Sequence, residues 1–281
     1  MPEAVNIALA QLSPHLRRTE ANIETMRRVV AGRPEADLIV FPELYLSGYV
    51  LDGIEELALH PDSPELQSIA DIARENSTAL IFGAPERVSD GVANSAFCVD
   101  KRGMVAAVYR KVQLFGGDES DAFVAGDELL VVGLRGTKMG IMICFDVEFP
   151  EVARALARAG AELLVTISAN MEPFGNDHAV FCSARALENG LPHVYVNQVG
   201  PVGNLNFIGG SMSVSPDGET YAQAGFPQEE VLDVSLVLPV KSSVREDYLS
   251  ELRSPMPDVK NVPSNATHRG ADVKPKASDP A

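Results

Sequence analysis

The chain has 281 residues, of which 46% are hydrophobic, and it carries a formal net charge of −16. This length and apolar content favour one large α/β domain. The negative charge excludes a nucleic-acid partner, because binding to a polyanion requires clustered Lys and Arg.

The first half of the chain alternates strand and helix patterns. Short apolar runs predict strands, and polar–apolar spacing of three to four residues predicts helices. Strands are expected at residues 5–12, 36–44 and 78–86, and helices at 19–30 and 63–76. Residues 94–110 differ, because they predict a hairpin with Gly103 in its turn.

The second half continues with both patterns. Strands are expected at residues 129–134, 138–145, 162–170, 191–200 and 211–224, and helices at 149–160 and 178–189, the latter ending at Gly190. Helices that alternate with strands and hairpins favour a layered α/β sandwich with mixed sheets. Residues 1–254 are therefore predicted to form one domain. Residues 255–281 lack periodic apolar positions and are predicted to form an extended or disordered tail.

Targeting signals and metal motifs are missing from the sequence. The N-terminus has no basic region or cleavage site, and no run of about 18 apolar residues occurs, which predicts a cytoplasmic protein with no membrane partner. The chain has three cysteines, Cys98, Cys144 and Cys182. Because their number is odd and no two of them form a CxxC motif, a disulfide framework is not expected. We predict neither a metal nor a cofactor.

Cys144 ends the apolar run of residues 138–145 and is followed by Asp146, Glu148 and Pro150. The acidic residues and the proline move the chain out of the core and into a helix. Ligands bind at the carboxyl ends of strands in α/β folds, which favours a nucleophilic thiol at this position. A small hydrophobic core residue is the alternative interpretation.

A thiol attacks as the thiolate, so Cys144 requires a base and benefits from a nearby cation. Glu43 follows a buried run and has apolar neighbours that would raise its pKa and make it a usable base; a solvated loop end is the alternative. Lys111 ends another strand ahead of a Gly-Gly turn, and Glu119 follows that turn. A Cys–His dyad with His178 or His193 is a further possibility.

Three blocks of sequence carry these residues, namely FPELYLSGY (41–49), YRKVQLFG (109–116) and ICFDVEFPE (143–151). In this order they resemble the signature blocks of the nitrilase superfamily, the carbon–nitrogen hydrolases with a Glu-Lys-Cys triad. The resemblance extends from residue 5 to about 248. It implies an αββα sandwich that pairs into an αββααββα dimer, so a homodimer or a higher homo-oligomer is expected.

The resemblance also implies a role for each matched residue. Cys144 would be the nucleophile, Glu43 the general base and Lys111 the cation that stabilises the tetrahedral intermediate. Glu119 would orient the substrate or the lysine, and the backbone N–H of Phe145 would contribute to the oxyanion hole.

Two more residues are implied as substrate contacts, Asn170 in the segment after the next strand and Tyr49 in the first block. Each has a structural alternative.

The chain has no tryptophan and carries Phe-Asp after Cys144, which favours an amidase branch over true nitrilases within the resemblance. The expected reaction is hydrolysis of small aliphatic or amino-acid-like amides to a carboxylic acid and ammonia. An N-carbamoyl-amino-acid hydrolase and a nitrilase are the alternatives within the family, although the former would require a cation for the carboxylate. A catalytically silent binding subunit is the alternative outside enzymes.

Overall fold

The computed structural model describes residues 4–240 and 248–253. The helices in this part of the chain are α1 (Thr19–Ala31), α2 (Pro64–Asn76), α3 (Gly116–Ala122), α4 (Pro150–Arg158), α5 (Gly175–Asn189) and α6 (Tyr248–Glu251). The strands are β1 (Ala4–Gln11), β2 (Leu38–Val40), β3 (Ala79–Val88), β4 (Gly91–Val99), β5 (Val105–Arg110), β6 (Leu130–Leu134), β7 (Thr137–Ile143), β8 (Leu163–Ser168), β9 (His193–Asn197), β10 (Val199–Val202), β11 (Leu205–Ile208), β12 (Met212–Val214), β13 (Thr220–Gln223) and β14 (Glu230–Val237). None of these helices is long and apolar enough to span a membrane.

The strands form two six-stranded sheets and a separate β10–β11 hairpin. The first sheet has the order β14-β1-β2-β3-β4-β5, and the second has the order β13-β12-β9-β8-β7-β6. In each sheet three central strands are parallel, β1–β3 in one and β7–β9 in the other, and the flanking strands are antiparallel. Both sheets are therefore mixed, as the sequence predicts.

The alternation of side chains along the strands separates the core into layers. In β1, Ile7 and Leu9 join the cluster between the two sheets, whereas Ala8 and Ala10 join the cluster under α1 and α2. A third cluster packs α4 and α5 on the outer face of the second sheet. The order of layers is helix, sheet, sheet, helix, and the predicted αββα sandwich is confirmed.

Several predicted elements differ in extent from the observed ones. The predicted strand 36–44 forms ladder pairs only in β2, because its last residues turn away from the sheet. The Gly-Gly turn after Lys111 begins helix α3, and α5 starts three residues before the predicted position. Strand β14 and the β10–β11 hairpin were not predicted. β14 is an edge strand with half-exposed positions, and only its pairing with β1 identifies it.

Contacts divide the chain into one unit that ends at Glu251 and a second that begins at Leu252. The predicted tail of residues 255–281 lies outside the described residues, so the domain boundary at residue 254 stays a prediction.

Candidate active site

Four predicted residues lie at strand ends and in one adjoining helix. Glu43 follows β2 in the turn that leaves the first sheet, and Lys111 follows β5 directly. Cys144 follows β7 of the second sheet, and Glu119 lies on α3. The two sheets bring these elements together, since Lys111 contacts both glutamates and interacts electrostatically with Cys144.

Lys111 is fully buried and its ammonium lies between two carboxylates. Its Nζ donates to Glu43 Oε1 at 2.8 Å and to a Glu119 carboxylate oxygen at 2.9 Å. Burial by itself lowers a lysine pKa, but the electrostatic interactions with Glu43, Cys144 and Glu119 outweigh it and raise the pKa of Lys111. The site therefore holds a permanent cation.

The two oxygens of the Glu43 carboxylate differ in their contacts. Oε1 accepts from Lys111 and, at 2.7 Å, from Asn94 Nδ2. Oε2 is buried and has no hydrogen-bond partner among the described residues. Burial raises the pKa of Glu43 above its usual value, the charge of Lys111 lowers it, and the charge of Glu119 raises it again. One carboxylate oxygen thus stays available for a proton.

Glu119 is held by two further donors. The Tyr49 hydroxyl donates to Oε1 at 2.7 Å, and the Phe115 backbone N–H donates to Oε2 at 2.8 Å. Both oxygens are therefore occupied, unlike those of Glu43. Glu119 therefore contacts the Lys111 ammonium and, unlike Glu43, has no oxygen without a hydrogen-bond partner.

The turn that carries Glu43 lies against the backbone of β3. A Cβ atom at Gly83 would lie 2.3 Å from Leu44 N and 2.6 Å from Glu43 Cα, which only glycine permits. The backbone N–H of Gly83 donates to Pro42 O at 3.0 Å. Gly83 therefore allows the approach that positions the Glu43 carboxylate.

Cys144 lies at a sharp change of direction between β7 and a 3-10 turn at Cys144–Glu148. Its φ of 45° is in the left-handed region, which is uncommon for a residue with a side chain. The buried carboxylate of Asp146 holds this turn, accepting from Ile143 N at 2.9 Å, Gln113 N at 2.9 Å and the Tyr109 hydroxyl at 2.8 Å. Burial raises the pKa of Asp146 to about 6 against these hydrogen bonds.

The Cys144 thiol is partly exposed and lies in an anionic environment. Burial and then the charge of Glu43 raise its pKa, whereas Lys111 and the Ser168 hydroxyl lower it. Ser168 Oγ accepts from the Tyr195 hydroxyl at 3.1 Å. The thiol is therefore the stable form at rest, and attack on a substrate requires the removal of its proton.

A narrow pocket opens over Cys144. The predicted residues Tyr49, Phe145 and Asn170 all line it. Phe145 packs edge-to-face on Phe115 with ring centroids 5.3 Å apart, and Phe115 packs in the same way on Phe174 at 5.8 Å. Part of the pocket wall is therefore aromatic.

The histidine alternatives do not form a dyad with Cys144. His193 is buried at the other end of the parallel strands, where its ring contacts Thr166 Oγ1 at 2.8 Å and Cys182 O at 3.2 Å. His178 lines the pocket, but its ring nitrogens contact the Tyr195 hydroxyl at 3.0 Å and the Glu148 carboxylate at 3.4 Å.

Within residues 4–240 and 248–253, no group of three His, Cys, Asp or Glu side chains is arranged to hold a metal ion.

Comparisons with known proteins show what this chain is similar to. The sequence pattern of the carbon–nitrogen hydrolase family matches residues 6–246. An (R)-stereoselective amidase from Pseudomonas sp. is 37% identical over 248 residues, which cover 87% of this chain and 89% of that protein. A hydrolase from the pqqF 5′ region of Pseudomonas protegens is 37% identical over 261 residues, covering 91% and 92%.

Among solved structures, an amidase from Nesterenkonia sp. superposes with a TM-score of 0.80 at 31% identity, covering 90% of this chain and 95% of that chain. A glutamate-to-glutamine variant of it shows covalent addition of the acetamide moiety of fluoroacetamide at the active site cysteine.

The chain therefore belongs to the carbon–nitrogen hydrolase family, and the predicted membership of the nitrilase superfamily is confirmed. It is an amide-hydrolysing enzyme.

Sequence reasoning missed Gly83, Asn94 and Ser168, and it missed the stabilising role of Asp146 and the place of Glu148 in the pocket wall. A glycine inside a buried strand is a recognisable sign of close backbone approach, so Gly83 was accessible to sequence reasoning. Asn94 lies in the predicted hairpin, and Ser168 lies within the predicted strand of residues 162–170. No local pattern relates either of them to residues that are distant in sequence.

Proposed function

We propose that the protein hydrolyses the carbon–nitrogen bond of small aliphatic or amino-acid-like amides through a thioester on Cys144. Glu43 is the general base, Lys111 is the cation that stabilises the intermediate, and Glu119 positions Lys111. The observation that carries this proposal is the Glu43 carboxylate, because Oε1 is occupied by Lys111 and Asn94 and Oε2 is buried without a partner among the described residues.

In the acylation step, Glu43 Oε2 takes the thiol proton while the sulfur forms a bond to the amide carbon. The π electrons of the carbonyl move to its oxygen, which is stabilised by the Lys111 ammonium and the backbone N–H of Phe145. The carbon–nitrogen bond then breaks as Glu43 returns the proton to the leaving nitrogen. Ammonia departs and the acyl group remains as a thioester.

In the deacylation step, a water molecule enters the position that ammonia has left. Glu43 removes its proton, and the hydroxide oxygen forms a bond to the thioester carbon. The carbon–sulfur bond breaks and the sulfur receives the proton from Glu43. The carboxylic acid leaves and the resting thiol is restored, so the cycle uses one water and needs no cofactor.

The test is ammonia release from a panel of short aliphatic amides, amino-acid amides, an N-carbamoyl amino acid and a nitrile. We expect turnover of amides that is lost in Cys144→Ala and retained in Cys98→Ala, the same change at a thiol buried in the core. Mass spectrometry of the enzyme during turnover should detect the acyl group on Cys144.

Turnover of amides by Cys144→Ala at the wild-type rate would refute the mechanism. Ammonia release from the nitrile only would favour a nitrilase. Ammonia release from the N-carbamoyl amino acid only would favour an N-carbamoyl-amino-acid hydrolase.

We also propose that the protein assembles as a homodimer or a higher homo-oligomer in the cytoplasm. Val180 on α5 is 57% exposed and Phe174, next to the start of α5, is 38% exposed, which supports an apolar contact surface on this side of the molecule. Light scattering on the purified protein gives the mass of the assembly. A monomer at micromolar concentration would contradict the proposal.

A further inference from the structure

Glu148 is a carboxylate that lines the pocket and that the proposed mechanism does not use. It ends the 3-10 turn that begins at Cys144, so the nucleophile and this carboxylate are on the same short segment. Its side chain is 27% exposed. Among the described residues, its only polar partner is His178 Nε2, at the long distance of 3.4 Å. The carboxylate can therefore accept hydrogen bonds from a molecule in the pocket.

The cations near the pocket are already occupied. Lys111 is buried between two carboxylates. Arg185 packs behind Glu148, but its guanidinium donates to the backbone oxygens of Val147 and Glu148 and to the Glu188 carboxylate. None of the lysines and arginines in the described ranges is among the residues that line the pocket.

The total charge of the site is negative. Glu43, Glu119 and Glu148 supply three carboxylates, and Lys111 supplies one ammonium. One negative charge remains even when Glu43 holds a proton and His178 is neutral. A negative, partly desolvated pocket attracts cationic molecules and repels anionic ones.

The aromatic part of the pocket wall complements a cation with an alkyl group. The rings of Phe115, Phe145 and Phe174 lie edge to face along the pocket. Such rings accept alkyl groups by hydrophobic contact and also attract ammonium groups through their faces. The pocket thus combines an apolar wall with a carboxylate beside the nucleophile.

We infer that Glu148 binds the ammonium group of an amino-acid amide while the carboxamide of the same molecule lies against Cys144. This inference rests on the proposed amidase function and specifies its substrate class. Glu148 is then a specificity-determining residue, and amides with a carboxylate at the same position, including N-carbamoyl amino acids, are rejected.

The first experiment compares three amides of nearly equal size in the wild-type enzyme at pH 7. Alaninamide carries an ammonium, isobutyramide carries a methyl group in its place, and 2-methylmalonamate carries a carboxylate. Because α-amino groups have a pKa of about 7.7–8.0, alaninamide is mostly charged at this pH. We expect kcat/KM to fall in the order alaninamide, isobutyramide, 2-methylmalonamate, with at least one alaninamide enantiomer about tenfold above isobutyramide.

The second experiment measures the ratio of kcat/KM for alaninamide to that for isobutyramide in Glu148→Gln and in Glu151→Gln. Glu151 is an exposed residue on α4 that does not line the pocket, so its replacement removes one negative charge without changing the site. The ratio should fall by about tenfold in Glu148→Gln and stay at the wild-type value in Glu151→Gln.

The outcomes separate the two proposals. If isobutyramide is hydrolysed and alaninamide is not preferred, or if the ratio is the same in both variants, the role of Glu148 is refuted while the amidase function stands. If no amide is hydrolysed, the amidase proposal fails and the role of Glu148 fails with it. The wild-type order decides the question even if Glu148→Gln does not fold.

Discussion

At the scale of single residues, the unequal occupation of two carboxylates organises the site. Both oxygens of Glu119 accept hydrogen bonds, whereas one oxygen of Glu43 has no partner among the described residues. Lys111 is not a strand-end lysine in water, because its ammonium is buried between them. A buried ion pair adds little net stability, but removal of one partner leaves an uncompensated charge.

The first prediction compares Glu43→Gln with Lys111→Met. Glu43→Gln keeps an oxygen that can accept from Lys111 and Asn94, so stability should stay near the wild-type value while kcat falls by about 10²–10⁴. Lys111→Met should lose activity to a similar extent and should also lower the free energy of unfolding by about 3–5 kcal/mol.

Steady-state kinetics and urea unfolding measure these two effects for each variant. A Lys111→Met variant as stable as the wild type would mean that Glu43 and Glu119 accept protons without cost.

At the scale of elements, the contact of the Glu43 turn with β3 fixes the position of the base. The sequence predicted the strand that contains Gly83, and it predicted that the preceding strand ends near Glu43. It did not predict that the two backbones touch, because such a contact depends on the register between β2 and β3. Cys144 is a second example. Its position at a strand end was predicted. The sequence did not predict that Asp146 holds the turn of Cys144 by accepting hydrogen bonds from Tyr109 and Gln113.

The second prediction concerns Gly83→Ala. The added methyl group would meet the backbone of residues 42–44, which cannot rotate away as a side chain can. We expect a loss of about 1–3 kcal/mol in stability and a loss of more than about tenfold in kcat, because Glu43 is displaced.

Gly133→Ala is the matched control, since Gly133 also lies in a strand and its added Cβ would meet no atom within 4 Å. Equal activity of the two variants would refute the role of Gly83.

At the scale of the whole molecule, two sheets of similar design pack face to face, and helices cover polar residues on their outer faces. His193 is buried on the second sheet, and burial lowers its pKa to about 4 from the usual 6.5, with a smaller opposing effect of the Cys182 carbonyl. The imidazole of His193 is therefore neutral in the folded protein at pH values above about 4. The unfolded chain therefore binds a proton between pH 6.5 and 4 that the folded chain does not bind.

The third prediction follows from this difference. The contribution of His193 to stability is present above pH 6.5 and is lost as the pH falls towards 4, so it should decrease by about 2 kcal/mol between pH 7 and pH 5. Asp146 opposes this trend in the same range, because its folded pKa is raised to about 6.

The measurement is therefore the difference between wild type and His193→Gln in urea unfolding at the two pH values. His60→Gln, at an exposed histidine, should follow the wild type at both. A parallel pH dependence of wild type and His193→Gln would contradict the prediction.

The sequence by itself indicated a layered α/β sandwich with mixed sheets, most element positions and the residue types of the site, and the family resemblance of its blocks implied the αββα order. It could do so because apolar periodicity is local and because Glu43, Lys111 and Cys144 each end a strand pattern within a recognisable block. Tertiary structure alone decided which oxygen of Glu43 stays free, that Asn94 and Asp146 hold the site, and that Glu148 lines the pocket. These features depend on the pairing and packing of strands that are distant in the chain, and no local pattern encodes such contacts.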